Sequence, residues 1–411
     1  MAVQSVHDVP RIDPAGRGIA AEAARLRELG DVVAVELPGG IRAWAPTRHR
    51  VLKDLINNPL VSKDPRLHWP LWNSEWIAER PEAHWIYTWC GVRNMFTSYG
   101  VDHRRLRTLI APAFTSRRTR AMQPVISRIT DELLRGLRDV PAGESVDLRK
   151  RFAYPLPMGV ICELFGLNED ERHTVAGALE KVMDTTVSPE VAGQVLENAR
   201  TALGALVARK RVSPGNDLTS DLIEARDGSD RLDEGELVDT LILVLTAGHE
   251  TTVNLIGNAV VALLEHPDQL AAVLAGDVPW ENVIEETLRW APSITSLPVR
   301  FATETIEVAD VTIERGDAIL ATFGIVGWDP DYHGEQAGEF NVRRAPGKHL
   351  AFGHGVHRCL GAPLAQAEAL TALPALFAAF PNIALVPGQS MERYPSFIAH
   401  GHKAPLVWLR G

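Results

Sequence analysis

The chain has 411 residues, 45% of them hydrophobic and 23% charged, which excludes a disordered or fibrous protein and allows a large core. A net charge of -10 excludes nucleic acid as the main partner, because phosphate binding needs a basic footprint. Three cysteines, Cys90, Cys162 and Cys359, are too few and too scattered for a disulfide framework. No CxxC pair offers zinc a site, so a reducing, cytoplasmic setting is expected.

From the N-terminus, MAVQSVHDVPRIDP lacks the basic and apolar segments of a signal peptide. Residues 16–29 have helical spacing, and residues 31–46 read as two strands around a Pro38-Gly39-Gly40 turn. From about residue 100 to 290 the pattern is almost entirely helical. Residues 294–322 switch to short β-branched runs with Gly and Asp turns, residues 323–358 read as a long irregular stretch, and a helix follows at about 360–380 before strand-like C-terminal segments. No repeat and no Gly/Ser or Pro linker divides the chain. The expected fold class is mainly α with a small β portion, as one domain spanning 1–411.

Residues 237–264 are apolar around the whole circumference, which places this helix at the protein centre. Asp239, His249, Glu250, Asn254 and Asn258 interrupt it, so no membrane span is expected, since a span needs about 20 mostly apolar residues. In its middle lies a small and polar island, Ala247-Gly248-His249-Glu250-Thr251-Thr252. A carboxylate buried there needs a partner; a satisfied core hydrogen bond and a functional site are both open readings. A zinc-protease motif is excluded, because HExxH would need His where Val253 stands.

A second island runs from His349 to Gly361. Gly353 and Gly355 let the backbone pass close to a flat ligand. Cys359 lies just before a helix with Pro363 in its first turn, where the dipole and free N–H groups favour thiolate. A thiolate is the electron-rich axial ligand that helps cleave an O–O bond on haem iron. A buried structural cysteine, a zinc site with His354 and His357, and a dinucleotide loop are the alternatives; the last lacks a third glycine.

These residues resemble the cysteine loop of the bacterial cytochrome P-450 family, F-G-x-G-x-H-x-C-x-G, whose fixed positions are filled by Phe352, Gly353, Gly355, His357, Cys359 and Gly361. The family's oxygen-activating helix, A-G-x-D/E-T, is matched by Ala247, Gly248, Glu250 and Thr251, and its E-x-x-R pair by Glu286 and Arg289. The resemblance covers essentially the whole chain and implies the cytochrome P-450 fold, with a long central helix over haem. It implies haem b with iron on Cys359, dioxygen as co-substrate, and Phe352 packed near the sulfur. It assigns the haem propionates to His103, Arg107, Arg300 and His357. Arg105 reads instead as a surface ion pair.

By the same resemblance Ala247 and Gly248 leave room for dioxygen, Thr251 hydrogen-bonds it once reduced, and Glu250 relays protons from solvent. Glu286 and Arg289 are structural. The family's basic residue just before Phe340 is Glu339 here, leaving Arg343 or Arg344 to complete that network. Trp69, Trp72, Trp76, Trp85 and Trp89 crowd a region that contacts substrate in the family; a lid packed on itself is the competing reading. Trp89, Val92, Asn94, Met95, Phe96, Leu243, Ala247 and Leu297 are candidates to line the pocket. The segments around residues 94–120 resemble an actinobacterial branch with steroid hydroxylases, implying a steroid or similar apolar polycycle, with a macrolide-like product next. With no flavin or nicotinamide motif, electrons are expected from a ferredoxin and ferredoxin reductase using NAD(P)H, docking at Arg343, Arg344, Lys348 and Arg358. A haem-thiolate gas or lipid sensor and a peroxide-driven oxygenase are the alternatives; the Glu250-Thr251 pair favours catalysis over the sensor, and the Arg-Pro pair that often replaces it in peroxide-using members is absent at these positions.

Overall fold

A computed structural model describes residues 9–169, 171–172, 189–225, 229–298 and 300–410. The helices that frame the site are α1 (Ile19–Leu29), α2 (His49–Asn57), α3 (Trp85–Cys90), α4 (Gly100–Ile110), α5 (Pro155–Phe165), α6 (Glu234–Glu265), α7 (Trp280–Trp290) and α8 (Ala362–Ala379). The strands are β1 (Val32–Leu37), β2 (Ile41–Pro46), β3 (Val61–Ser62), β4 (Ser145–Asp147), β5 (Phe301–Ala302), β6 (Ile306–Val308), β7 (Val311–Ile313), β8 (Ala318–Ile319), β9 (Ala384–Leu385) and β10 (Leu406–Trp408). This is the expected mainly α fold with a small β portion.

The largest sheet has the order β1-β2-β8-β5-β3. β1 and β2 form an antiparallel hairpin with Leu37 opposite Ile41. Gly39 and Gly40 both take positive φ, and a Cβ on Gly39 would lie 2.6 Å from the Ala83 backbone, so glycine is required at that turn. β2 pairs in parallel with β8, joining the N-terminal hairpin to the far end of the chain. β5 pairs antiparallel with both β8 and β3.

Helix α6 has 32 residues, about 48 Å at 1.5 Å per residue. Asp233 starts it with a complete capping box: its side chain accepts from the Glu236 N–H, and the Glu236 side chain accepts from the Asp233 N–H. Its N-terminal half (Leu237, Leu241, Ile242, Val244, Leu245) packs into one hydrophobic cluster with α4 and α5. Its C-terminal half, from Val253 to Leu263, packs into another with α7 and α8. The polar island lies at the seam between the two clusters. No helix among the described residues is long and apolar enough to cross a membrane.

Two expectations are corrected. The stretch 323–358 is not irregular throughout: it holds short helices at Phe323–Gly327 and Pro330–His333 and 3-10 turns at Glu335–Gly338 and Gly355–His357, all too short to imprint periodicity. The helical region is broken by β4, which pairs with β10, a partner roughly 260 residues away that no local pattern announces.

Several histidines are buried neutral. The His49 ring stacks on Tyr332 at 3.6 Å and meets the His333 ring edge at 5.5 Å. Burial pushes His49 down to about 4 and His333 down to about 3. As pH falls below the usual histidine value of about 6.5, the unfolded chain takes up protons that the fold refuses. Stability is therefore present above about pH 6.5 and falls between there and about pH 4. The urea midpoint should drop between about pH 7.5 and about pH 5, and His49→Phe should flatten the drop. Equal midpoints at the two pH values would contradict this.

Candidate active site around Cys359

The cysteine loop is shaped by its glycines. Gly353 (φ 68°) and Gly355 (φ 69°) occupy the left-handed region, and a Cβ on Gly355 would lie 2.6 Å from Asn57 Oδ1 of α2. The loop closes on itself where Cys359 N–H donates to Phe352 O (2.9 Å) and Arg358 N–H to Gly355 O (3.0 Å). Helix α8 then starts after Gly361, with Pro363 in its first turn. Leu360 and Leu364 pack on the cluster that contains Leu241 and Leu245 of α6, so the loop sits against the central helix.

Cys359 keeps an exposed face although protein encloses its other sides. Burial pushes the thiol above its usual range, opposed first by the N–H groups of Gly361 and Ala362 and then by Arg358 and Arg107. A metal cation on the open face would tip that balance to thiolate. Cys90 is instead inert: it is fully buried, and burial lifts its thiol well above the usual range.

Buried basic groups gather beside the loop. His103 of α4 is 3% exposed, Arg300 5% and Lys63 2%. The His103 and His357 rings lie 4.0 Å apart. Arg107 reaches across to donate to Arg358 O (2.9 Å), tying α4 to the loop. Burial pushes Arg300 down to about 10, His103 down to about 4 and Lys63 well below the usual amine range. His357 is lowered too, by burial first and then by Lys63, His103, Arg300 and Arg107. Among the described residues no carboxylate neutralises this set, and His103 Nε2 and Arg300 Nη1 have no hydrogen-bond partner. Unpaired buried cations are costly, so the cluster is the complement of a ligand with two carboxylates. With the adjacent thiol for a metal, haem fits. Lys63 escaped the sequence reading, because a lone lysine after a two-residue strand carries no signal.

The helix face above shows one open stripe. Leu243, Ala247 and Thr251 recur at i, i+4 and i+8 and stay partly exposed within a helix otherwise largely buried. A Cβ on Gly248 would lie 3.2 Å from Ile161 Cδ1, so glycine lets α5 approach. Thr251 Oγ1 donates to Ala247 O (2.6 Å) and Thr252 Oγ1 to Gly248 O (3.0 Å). Each hydroxyl thus keeps acceptor capacity.

Glu250 is held elsewhere. Arg149 Nη2 donates to its carboxylate (2.6 Å) while Arg149 Nη1 donates to Asn254 Oδ1 (2.9 Å), and the guanidinium lies 4.4 Å over the Tyr394 ring. Burial raises the Glu250 carboxyl, and Arg149 opposes that rise. Arg149 lies 101 residues from Glu250, and nothing in its local sequence marks it. His249 is fixed by the Tyr154 carbonyl (3.2 Å) and kept neutral by burial, down to about 4.

Beneath the site, Arg289 of α7 forks onto Glu286 through Nε (2.8 Å) and Nη2 (2.6 Å) and donates to the carbonyls of Gly327, Ala337 and Glu339. The third member is Arg344, 3.3 Å from Glu286 and bonded to His333 O and Gln336 O. Arg343 is exposed. Glu339, at the family's basic position, serves through its carbonyl alone.

The tryptophan region is corrected in part. Trp69 stacks on Phe301 at 5.2 Å, and Trp85 packs edge-on to Phe397 at 5.0 Å with its Nε1 donating to Pro38 O. Both are buried in the core, not presented to a substrate. Trp89, Phe96 and Leu297 sit partly buried at the margin of that cluster, and Met95 borders the cluster containing Val92. Val92 is itself buried. Asn94 is committed to the Phe96 N–H and the Asp239 carbonyl, so it is removed from the pocket candidates. Arg105 pairs with Asp230 and Glu236, as a surface ion pair should.

Comparison with known proteins identifies this architecture as that of haem-thiolate monooxygenases. The cytochrome P-450 family profile matches residues 280–397. The chain is 41% identical to 2-hydroxy-5-methyl-1-naphthoate 7-hydroxylase of Streptomyces carzinostaticus, covering 98% of this chain and 97% of the relative. It is 37% identical to 6-deoxyerythronolide B hydroxylase of Saccharopolyspora erythraea, covering 88% of each. Testosterone-bound CYP154C4 from Streptomyces sp. ATCC 11861 superposes with a TM-score of 0.92 at 41% identity, covering 98% of both chains. The chain belongs to the cytochrome P-450 family and is a monooxygenase of the bacterial kind; the family implies haem iron and dioxygen.

The Arg149–Glu250 pair yields a direct test. Arg149→Leu strands a buried carboxylate and should cost about 3–5 kcal/mol of stability. Adding Glu250→Gln should recover much of that loss. A double variant no more stable than Arg149→Leu in urea unfolding would contradict the pairing.

Proposed function

We propose that this monooxygenase inserts one oxygen atom from dioxygen into a large apolar polycycle, a steroid first and a macrolide-like product next, at a haem b bound through Cys359. The observation that carries the reading is the uncompensated cation cluster beside an open thiol at a helix N-terminus. Haem supplies the redox-active iron at which dioxygen is split; the protein's side chains do the rest.

Cys359 binds the metal as thiolate, with Phe352 packed near the sulfur and Gly361 keeping the helix start clear of side chain. His103, Arg107, Arg300 and His357 hold the propionates. Ala247 leaves room for dioxygen on the α6 face, and Gly248 lets α5 close in behind it. Thr251, whose own proton is donated to Ala247 O, accepts a hydrogen bond there and passes protons inward. Glu250 is the acid that feeds it, and it must leave Arg149 to do so. Trp89, Met95, Phe96, Leu243, Ala247 and Leu297 form the apolar wall, with the buried Val92 packed behind it. The testosterone-bound relative supports the steroid reading, and the deoxyerythronolide hydroxylase supports the macrolide reading.

Electrons come from a ferredoxin, itself reduced by a reductase using NAD(P)H. Exposed Arg343, Lys348 and Arg358 flank the cysteine loop, where Val356 is also exposed, and form a cationic patch suited to an acidic partner. Arg344 is withdrawn from that surface by Glu286. The chain works as one domain in the cytoplasm, in keeping with its three unpaired cysteines.

Two measurements test this reading. With surrogate ferredoxin, reductase and NADPH, a steroid panel under labelled dioxygen should give product carrying one labelled atom. Label-free product, or no conversion of any steroid or macrolide, would count against it. Thr251→Ala should cut product formation by about 100-fold while the substrate-induced spectral shift survives. Unchanged product formation would remove Thr251 from the proton path.

A further inference from the structure

The propionate roles above use two imidazoles and two guanidinium groups, yet the cluster contains another buried cation. β3 pairs antiparallel with β5, Ser62 opposite Phe301. One step on, that register sets Lys63 beside Arg300. Lys63 is 2% exposed, and its Nζ lies 3.1 Å from the centre of the Phe96 ring. Its neighbour Asp64 is occupied elsewhere, accepting from the Arg66 N–H at 2.9 Å. Lys63 also acts electrostatically on both His103 and His357.

An ammonium carries three donors, and one aromatic face cannot replace the hydration of all three. A lysine placed merely to fill space would cost less as methionine or leucine. The charge therefore has a partner outside the chain, an anion reached from the same side as Arg300 and His103. The aromatic contact ties the same ammonium to the segment Val92–Phe96.

We propose that Lys63 binds a haem propionate and, through its contact with Phe96, couples that charge to the substrate-facing segment Val92–Phe96. The proposal rests on the haem reading above and makes Lys63 a positioning residue for cofactor and substrate together. Phe96 cannot shift for a substrate without changing what surrounds the ammonium, and the propionate holds the ammonium in place.

The test compares the purified holoenzyme with Lys63→Met, which keeps the apolar stem and drops the charge, and with Lys63→Arg, which keeps the charge. Haem transfer to excess apomyoglobin should be about tenfold faster for Lys63→Met and close to the parent for Lys63→Arg. The midpoint potential of Lys63→Met should be more negative, because a cation near the iron favours the reduced form. Steroid titrations should show weaker binding in Lys63→Met. Reconstitution with haem dimethyl ester, whose propionates carry no charge, should abolish the difference in haem retention between parent and Lys63→Met.

A difference that persists with the ester, or haem loss and potential equal to the parent, would overturn the proposal. Should Lys63→Met fail to fold, Lys63→Gln is read in the same way. A parent whose reduced carbon monoxide complex lacks a thiolate spectrum overturns the haem reading and this inference with it. A normal parent spectrum beside unchanged Lys63 variants overturns this inference alone.

Discussion

Positive charge withdrawn from water with nothing of opposite sign in the chain is the constraint from which the site follows. Lys63 and Arg300 are each no more than 5% exposed; Arg300 Nη1 has no partner, and neither has Nε2 of the neutral His103 imidazole beside them. A folded chain tolerates such a deficit where binding something else repays it. The repayment must be anionic, must reach all these groups at once, and must lie beside a thiol that burial alone would keep protonated. A metal-bearing dianion meets these demands together, with the metal converting thiol to thiolate and the carboxylates answering the cations.

The small β portion and the helices divide the labour. The β3–β5 pairing brings Lys63 and Arg300 together, successive turns of α4 bring His103 and Arg107, and the glycine-shaped loop brings His357 and Cys359. Helix α6 supplies the opposite wall. Its length lets both halves anchor in separate hydrophobic clusters, so the polar island between them is held rigidly without having to fill either core. The Glu286–Arg289–Arg344 network fastens the segment leading into the cysteine loop by bonding the carbonyls of Gly327, His333, Gln336, Ala337 and Glu339. A chain of carbonyls with no ladder of its own is thereby satisfied.

What was legible in the sequence was whatever is local. The glycine-bracketed cysteine, the all-round apolar helix with its interrupting Glu250-Thr251, the Pro38-Gly39-Gly40 hairpin and the α7 carboxylate–arginine spacing each fit within a few turns of chain. Arg149, Lys63 and the choice of Arg344 over Arg343 were not legible, because each is defined by a partner far away. Arg149 meets Glu250 from a short π-helical segment, Lys63 meets Arg300 through a two-residue strand, and Arg344 meets Glu286 from 58 residues downstream. The tryptophan-rich stretch left two readings open, and the packed one holds for Trp69 and Trp85, while Trp72, Trp76 and Trp89 sit partly buried at the margin of that cluster.

The bond between the Cys359 sulfur and iron is tested most directly by the carbon monoxide difference spectrum of the reduced protein, measured for the parent and for Cys359→Ser. The account predicts the red-shifted Soret band of a thiolate-bound haem in the parent and its loss in the serine variant, which still binds pigment through the cation cluster. A serine variant that keeps the parent's band and reactivity would contradict it.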